Sequence, residues 1–316
     1  MPRFDITIAG ELNLDLILYG LPEELLPERE LIADRMMLTL GSSSAIVAHN
    51  AAVLGSLVGF QSRIGDDQLG QIALERLKQG GVDVSQVRQV SSASTTGLTV
   101  ILPHGSWRNI LTYMGTIAEL SWEDLDLDYL ADARHFHLSS YFLHRTLQPR
   151  IGELFQHLKS KGLTISLDTN DDPEDRWESG LRDVLKYVDL VLPNEREACK
   201  MAGTEDLEEA IRWLSQRVPL VVVKLGPKGS LAQRGSERVT SVPVKVTPVD
   251  TVGAGDSFDA GFLHEYVRGA DLAKCLASGN RTGALSTTRP GGTEAFRDVP
   301  HRESFLAGVE TSRQES

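Results

Sequence analysis

Six short apolar runs ending at Ile8, Phe60, Leu138, Leu167, Val191 and Val223 are separated, for the most part, by stretches of helical period. That alternation predicts strands joined by helical crossovers, and therefore a mostly parallel sheet with helices on both faces. Ligands of such sheets bind beyond the carboxyl ends of the strands. His137, Ser139, Asp168, Asn194 and Lys224, at or just past predicted strand ends, are the first residues to consider. Two segments break the rhythm. Residues 95–102 and 109–113 read as a hairpin around Pro103-His104-Gly105-Ser106, and 14–40 lacks a helical period. Together they predict a small β lid, built from roughly 12–40 and 94–115, on one domain spanning 1–316. The polar tail 310–316 is expected to fray.

The chain of 316 residues is 41% hydrophobic, enough for a sizeable core. Its 44 acidic residues outnumber 32 basic ones, so the surface repels polyanions and nucleic acid is not an expected partner. Apolar runs such as 219–223 are too short to span a bilayer, and the opening Met1-Pro2-Arg3-Phe4-Asp5 has no signal-peptide pattern. Neither a membrane nor export is expected, which leaves the cytoplasm. Cys199 and Cys275 lie in helix-like segments without a second ligand at metal spacing, and read as ordinary thiols of a reducing compartment.

The segment richest in chemistry is Asp250-Thr251-Val252-Gly253-Ala254-Gly255-Asp256-Ser257-Phe258. Small residues at 253–255 let backbone N–H groups converge on an anion, and Phe258, Phe262, Leu263, Tyr266 and Val267 have the spacing of a helix that starts there and stops before Gly269. A helix start aimed at a phosphate, with a carboxylate beside it, meets two needs of phosphoryl transfer: charge stabilisation and a base for a hydroxyl. The plainer reading makes Asp256 a first-turn carboxylate facing the helix dipole.

The segment resembles the C-terminal signature of the ribokinase (pfkB) family. Other matches follow in the family's order over nearly the whole chain: Gly10-Glu11-Leu12-Asn13-Leu14-Asp15; Gly41 to Gly55 followed by Arg63-Ile64-Gly65-Asp66-Asp67-Gln68-Leu69-Gly70; Gly81-Val82-Asp83; Pro193-Asn194-Glu195-Arg196-Glu197; and Lys224-Leu225-Gly226-Pro227-Lys228-Gly229. The resemblance implies a three-layer α/β sandwich with a β lid, and a kinase moving the γ-phosphoryl group of ATP to a hydroxyl of a sugar or sugar-like molecule. It makes Asp256 the base, and the backbone of Gly253, Ala254 and Gly255 an anion hole. Asn13 and Asp15, with Gly41 and Ser42, would meet the acceptor. Asn194 and Glu197 would organise magnesium through water, although the same pair reads as a capping box. Lys224, Gly226, Gly229, Thr251 and Asn280 would flank the nucleotide. In some relatives the 291–292 loop and the residues near Asp250 bind a monovalent cation such as K+. Asp168 and Asn170, past a strand end, are candidates to line the acceptor pocket or to form turns. A lid also offers an edge for a homodimer.

One departure stands out. The family's Gly-Gly-x-x-x-Asn is here Gly41-Ser42-Ser43-Ser44-Ala45-Ile46, so an aliphatic side chain replaces the amide that grips a sugar hydroxyl. Asn50, one turn on, is about 5.4 Å away along the axis and a poor substitute. Two alternatives therefore stay open: a catalytically silent sugar or nucleotide sensor of the same fold, and a nucleoside kinase for which Ile46 belongs to an apolar clamp. A kinase for a phosphorylated sugar would need cations near Asp15, with Arg63 and Arg108 as candidates. His137 reads as a core residue, and Tyr113 as packing on the lid. P-loop, dinucleotide-fingerprint, hydrolase-elbow and zincin motifs do not occur.

Overall fold

β1 (Phe4–Ala9) is buried along nearly its whole length and pairs in parallel with both β4 (Val58–Gly65) and β8 (Ala133–Leu138), so it lies in the middle of a sheet and reads as a continuous apolar run. The structure, a computed structural model, describes residues 2–22, 24–91, 94–104 and 107–314, without the side chains of 104 and 309–314. Gly105 and Ser106 of the expected hairpin turn and Glu315 and Ser316 of the tail lie outside the described residues.

Thirteen strands form two sheets among these residues. The main sheet adds β5 (Asp83–Val90), β9 (Thr164–Leu167), β10 (Leu190–Val191), β11 (Leu220–Lys224), β12 (Ser230–Arg234) and β13 (Glu237–Ser241) to the three strands already named. Their order is β13-β12-β11-β10-β9-β8-β1-β4-β5. Only the β11-β12 and β12-β13 pairs are antiparallel. Side chains alternate between two cores: Val191, Val221 and Val223 pack with helices such as Ile151–Ser160 and Leu207–Ser215, whereas Leu190, Leu220 and Val222 pack with Ser43–Val53, Ala254–Tyr266 and Leu272–Ser286. This is the expected three-layer sandwich.

The second sheet is built from β2 (Leu14–Tyr19), β3 (Arg35–Leu40), β6 (Leu98–His104) and β7 (Trp107–Tyr113), in the order β3-β2-β6-β7. β2 is antiparallel to β3 and parallel to β6, and β6 is antiparallel to β7. Its inner residues Ile17 and Ile101 pack on Val252, just ahead of the Ala254–Tyr266 helix. The strand β7 exposes Trp107, Ile110, Leu111 and Tyr113. The small sheet therefore stands over the carboxyl ends of the main one. Both cysteines are free, and no helix among the described residues is long and apolar enough to cross a membrane.

Candidate active site

A cleft of about 190 Å³ separates the two sheets. Its lower wall comes from Glu11, from Ser42, Ser43 and Ile46 at one helix start, and from Gly253 and Asp256 at another. Its upper wall comes from the small sheet: Asp15, Thr99, Ile101, Arg108, Ile110 and Thr112. A broader depression of about 470 Å³ over Asp66, Asp67, Gln68, Gln71 and Ile72 gathers no such converging groups.

The helix Ala254–Tyr266 begins at Gly253, whose φ of 71° is left-handed and favours glycine. A Cβ there would stand 2.5 Å from Gly292 Cα, so only glycine lets the two backbones approach. No side chain caps this helix start. The amides of Ala254, Gly255 and Asp256 open the helix, where the partial positive charge of the dipole is concentrated. Asp256 is in the first turn, buried at 8% exposure yet on the cleft wall. Burial, then the negative charge of Asp168, pushes its carboxyl up to about 6. Asn170 Nδ2 lies 3.5 Å from Asp256 Oδ1, while Asn170 Oδ1 accepts the Ser140 N–H at 2.8 Å. Asn170 thus faces the carboxylate of Asp256 rather than the cleft.

Asp168 is not among the residues that line the cleft either. It is 1% exposed and accepts from Lys224 Nζ at 2.6 Å, with Asp259 Oδ2 on the same ammonium at 3.2 Å. Burial opposes the charge on Lys224, but the two carboxylates outweigh it and hold the ammonium above the usual lysine range. Lys224 holds Asp168 below its ordinary range against the pull of its own burial, whereas burial raises Asp259 well above its ordinary range. The side chain of Lys224 is turned inward below Gly255 and spent on this pair. Beside it, Asn194 and Glu197 form the capping box in both directions: Glu197 N–H donates to Asn194 Oδ1 and Asn194 N–H to Glu197 Oε2, each at 2.9 Å. Burial and then Asp168 push Glu197 up to about 7.

Where the small sheet closes the cleft, Asn13 Nδ2 donates to Leu14 O and Thr99 Oγ1 at 3.1 and 3.4 Å, and Asp15 is 6% exposed. Burial, then the charges of Asp256 and Asp250, push Asp15 up to about 7, while Arg108 pulls the other way. A Cβ at Gly41 would lie 2.2 Å from Asp15 Oδ1, so glycine makes room for that carboxylate. Ser42 Oγ accepts from Ala45 N and donates to Glu11 O at 2.5 Å, at a φ of 65°. Ile46 lines the cleft and packs its Cδ1 against Gly253 and Gly292. Asn50 is turned away, donating to Ser257 Oγ and Gly292 O at 3.0 Å each.

Around the other mouth, Gly229 has a φ of 95°, and a Cβ would lie 2.1 Å from Ser241 O; Gly226 has a φ of 55° and open space where a Cβ would stand. Asn280 Nδ2 donates to Ser241 O and Val242 O, so it anchors the backbone after β13. Thr251 is exposed and accepts from Arg108 Nη1 at 2.9 Å. Of the two candidate cations, Arg108 lines the cleft, whereas Arg63 pairs with Glu119 and Asp124. Tyr113 is 54% exposed on β7. His135 and His137 form a buried chain with Thr164, Ser166 and Ser139, and burial lowers them to about 3 and 4.

Two residues escaped the sequence reading. Glu11 accepts from Ser44 N, Ser44 Oγ and Ser140 Oγ at 3.1, 2.7 and 2.8 Å. Burial raises its carboxyl, but His144 and these donors bring it down to about 2. It knots three loops at the base of the cleft, and its only sequence signal is a carboxylate two residues ahead of Asn13. Asp259 is signalled by its place three residues after Asp256, on the same helix face.

Comparison with known proteins gives the family and the fold. The model of the pfkB family carbohydrate kinases matches residues 4–298. A sugar kinase of Archaeoglobus fulgidus whose function is uncharacterised is 30% identical, the alignment covering 77% of this chain and 96% of that one. The 5-dehydro-2-deoxygluconokinase of Clostridium perfringens is 26% identical over 99% of this chain and 95% of its own. In fold, the ribokinase of Arabidopsis thaliana solved with ribose and ATP superposes with a TM-score of 0.78, at 24% identity, over 96% of this chain and 99% of its own. With a family match running from β1 to the 291–292 loop, over a sandwich and lid that enclose one cleft, the chain belongs to the pfkB family and is a carbohydrate kinase.

Proposed function

We propose that this sugar kinase transfers the γ-phosphoryl group of Mg·ATP to a hydroxyl of a small sugar or sugar-like acceptor, with Asp256 as general base. The observation that carries the reading is a buried carboxylate, pushed up to about 6, on the cleft wall at an uncapped helix start. A base of that strength is ionised at neutral pH and close enough to it to accept a proton efficiently. Asn170 orients it, and of the expected anion hole the Gly255 amide, with that of Asp256 beside it, faces the charge that develops on the transferred group, while the Ala254 N–H is given to Thr251 O at 3.3 Å. Asn13 and Asp15 hold the acceptor hydroxyls from above.

The fit to cofactors follows from the donors. Gly226 leaves open space for a nucleotide, beside the 241–242 backbone that Gly229 lets approach and Asn280 anchors. Magnesium keeps most of its waters, and the nearly buried Glu197 with Asn194 would hold it through them. Bound with the nucleotide, it would neutralise phosphate charge. The reading needs no monovalent cation. Three of the roughly four acceptor positions of the Asp250 carboxylate already take Tyr19 O–H, Val252 N–H and Gly291 N–H.

A cleft of about 190 Å³ suits a monosaccharide better than a nucleoside, although Ile46, Ile101, Ile110 and Val252 give it an apolar side. Arg108 alone answers for the cations a sugar phosphate would need. The test is ADP release by purified protein with ATP and Mg²⁺ against neutral sugars, keto-deoxy sugar acids, sugar phosphates and nucleosides. Release that depends on one sugar class supports the reading. Silence across the panel with binding of ATP intact overturns it in favour of a sensor.

A further inference from the structure

The small sheet and the helix start are tied by more than the cleft between them. Asp250 Oδ2 accepts the Tyr19 O–H at 2.8 Å and the Gly291 N–H at 3.0 Å, and Asp250 Oδ1 accepts the Val252 N–H at 3.0 Å. Tyr19 is the last residue of β2, the strand that carries Asp15. Its ring lies 4.4 Å from the Arg35 guanidinium on β3, which steadies it. Val252 is buried against Ile17 of β2 and Ile101 of β6, and Thr251 takes a hydrogen bond from Arg108 of β7. Every one of the three residues before Gly253 is therefore held by the small sheet. Further round, Thr39 Oγ1 of β3 donates to Glu294 Oε1 at 2.9 Å, and a Cβ on Gly291 would lie 2.6 Å from Thr39 Cγ2. The backbone that turns into the anion-binding helix start and the loop packed behind it thus share their supports with the strand that meets the acceptor.

We infer that Tyr19 is a positioning residue: its hydroxyl fixes Asp250, and through it the Val252 and Gly291 amides and the path of the backbone into Gly253. The Asp250 carboxylate joins the 250–253 turn to the 291–292 loop, and Tyr19 is its one side-chain donor among the described residues. Without that donor, Asp250 is free to rotate and follow either amide. The helix-start amides would then be correctly placed in only a fraction of molecules, which lowers turnover while leaving ground-state binding largely intact. Because the acceptor site and this turn sit on the same sheet, Tyr19 also couples seating of the acceptor to the geometry of phosphate-facing amides. The role rests on the kinase reading given above.

The test is Tyr19→Phe, which keeps the ring and removes only the hydroxyl. In the unliganded protein, amide hydrogen exchange at Val252 and Gly291 is expected to quicken about tenfold, with other protected amides unchanged. In steady state, kcat is expected to fall about tenfold, with KM for ATP and acceptor changed less than about twofold. Added to Asp250→Asn, Tyr19→Phe is expected to cost little more, since both act through one carboxylate. Unchanged exchange at both amides overturns the inference whether or not the wild type turns over. So does an unchanged kcat, a change confined to acceptor KM, or strict additivity with Asp250→Asn. Absence of acceptor-dependent turnover in the wild type itself would sink the kinase reading separately.

Discussion

Replacing Asp256 by Asn should make the protein more stable at neutral pH, by an amount that vanishes in acid. In the folded chain this carboxyl is pushed from 3.8 up to about 6, mainly by burial, so folding favours its protonated form. Between about pH 4 and pH 6 the folded state holds a proton that the unfolded chain releases, and stability therefore falls as pH rises through that window. Above it the penalty is complete. At about 1.4 kcal/mol per pKa unit, a shift of roughly two units amounts to about 3 kcal/mol at pH 7.5, which is an upper figure. Asparagine has the same shape, stays neutral and keeps a partner for Asn170, so it removes the penalty. It also relieves Asp15, whose carboxyl is raised in part by the charge of Asp256. Urea denaturation of both proteins at about pH 4.5 and pH 7.5 measures the difference. We expect a gain of roughly 2–3 kcal/mol at the higher pH and about 1 kcal/mol at the lower, because all other titrating groups largely cancel. A variant less stable than the wild type at neutral pH, or a gain independent of pH, would refute the argument that this carboxylate is held in an unfavourable charged state.

Other changes have clear directions. Ser42 adopts φ 65° and ψ 129°, a sparsely populated region for a residue with a Cβ. Ser42→Gly relieves about 1–3 kcal/mol of strain and gives up a few tenths of a kcal/mol of capping and about 1 kcal/mol for the hydrogen bond to Glu11 O, so thermal unfolding should move up by about 1 °C; a lower midpoint would contradict this. Lys224→Met leaves Asp168 and Asp259 without their cation and should cost about 3–5 kcal/mol in chemical denaturation; a loss below about 1 kcal/mol would show that the pair shares one proton at no expense. Gly41→Ala pushes a methyl into the space of the Asp15 carboxylate. Acceptor KM should rise about tenfold with ATP KM unchanged, and the reverse pattern in steady-state kinetics would move Asp15 out of the acceptor site.

The architecture was legible where the physics is local. Parallel strands buried on both faces, such as β1 and β11, read directly as apolar runs, and Gly253 with the period from Phe258 onward marked the start of a helix. The β12-β13 hairpin and β5 were missed, because Ser230–Arg234, Glu237–Ser241 and Asp83–Val90 lie at or next to the edges of the sheet and carry many polar or half-buried side chains. Strand-end position singled out Asp168 and Lys224 but not where they point; the partner that decides this, Asp259, belongs to a helix from another part of the chain. Glu11 was unreadable as a knot, since Ser44 and Ser140 are 33 and 129 residues away. Ile46 stands out in the sequence as a departure from the family pattern, whereas its packing on Gly253 and Gly292 depends on a tertiary approach that no spacing reveals.

The most direct test of Asp256 as the base is turnover of Asp256→Asn measured beside its nucleotide binding. With saturating acceptor and Mg·ATP, kcat should fall by about 10²–10⁴, the range a positioned general base supplies, while calorimetry gives an ATP affinity within about threefold of the wild type. A variant that binds ATP equally well and keeps kcat within about tenfold would contradict the assignment and move the base to another group in the cleft.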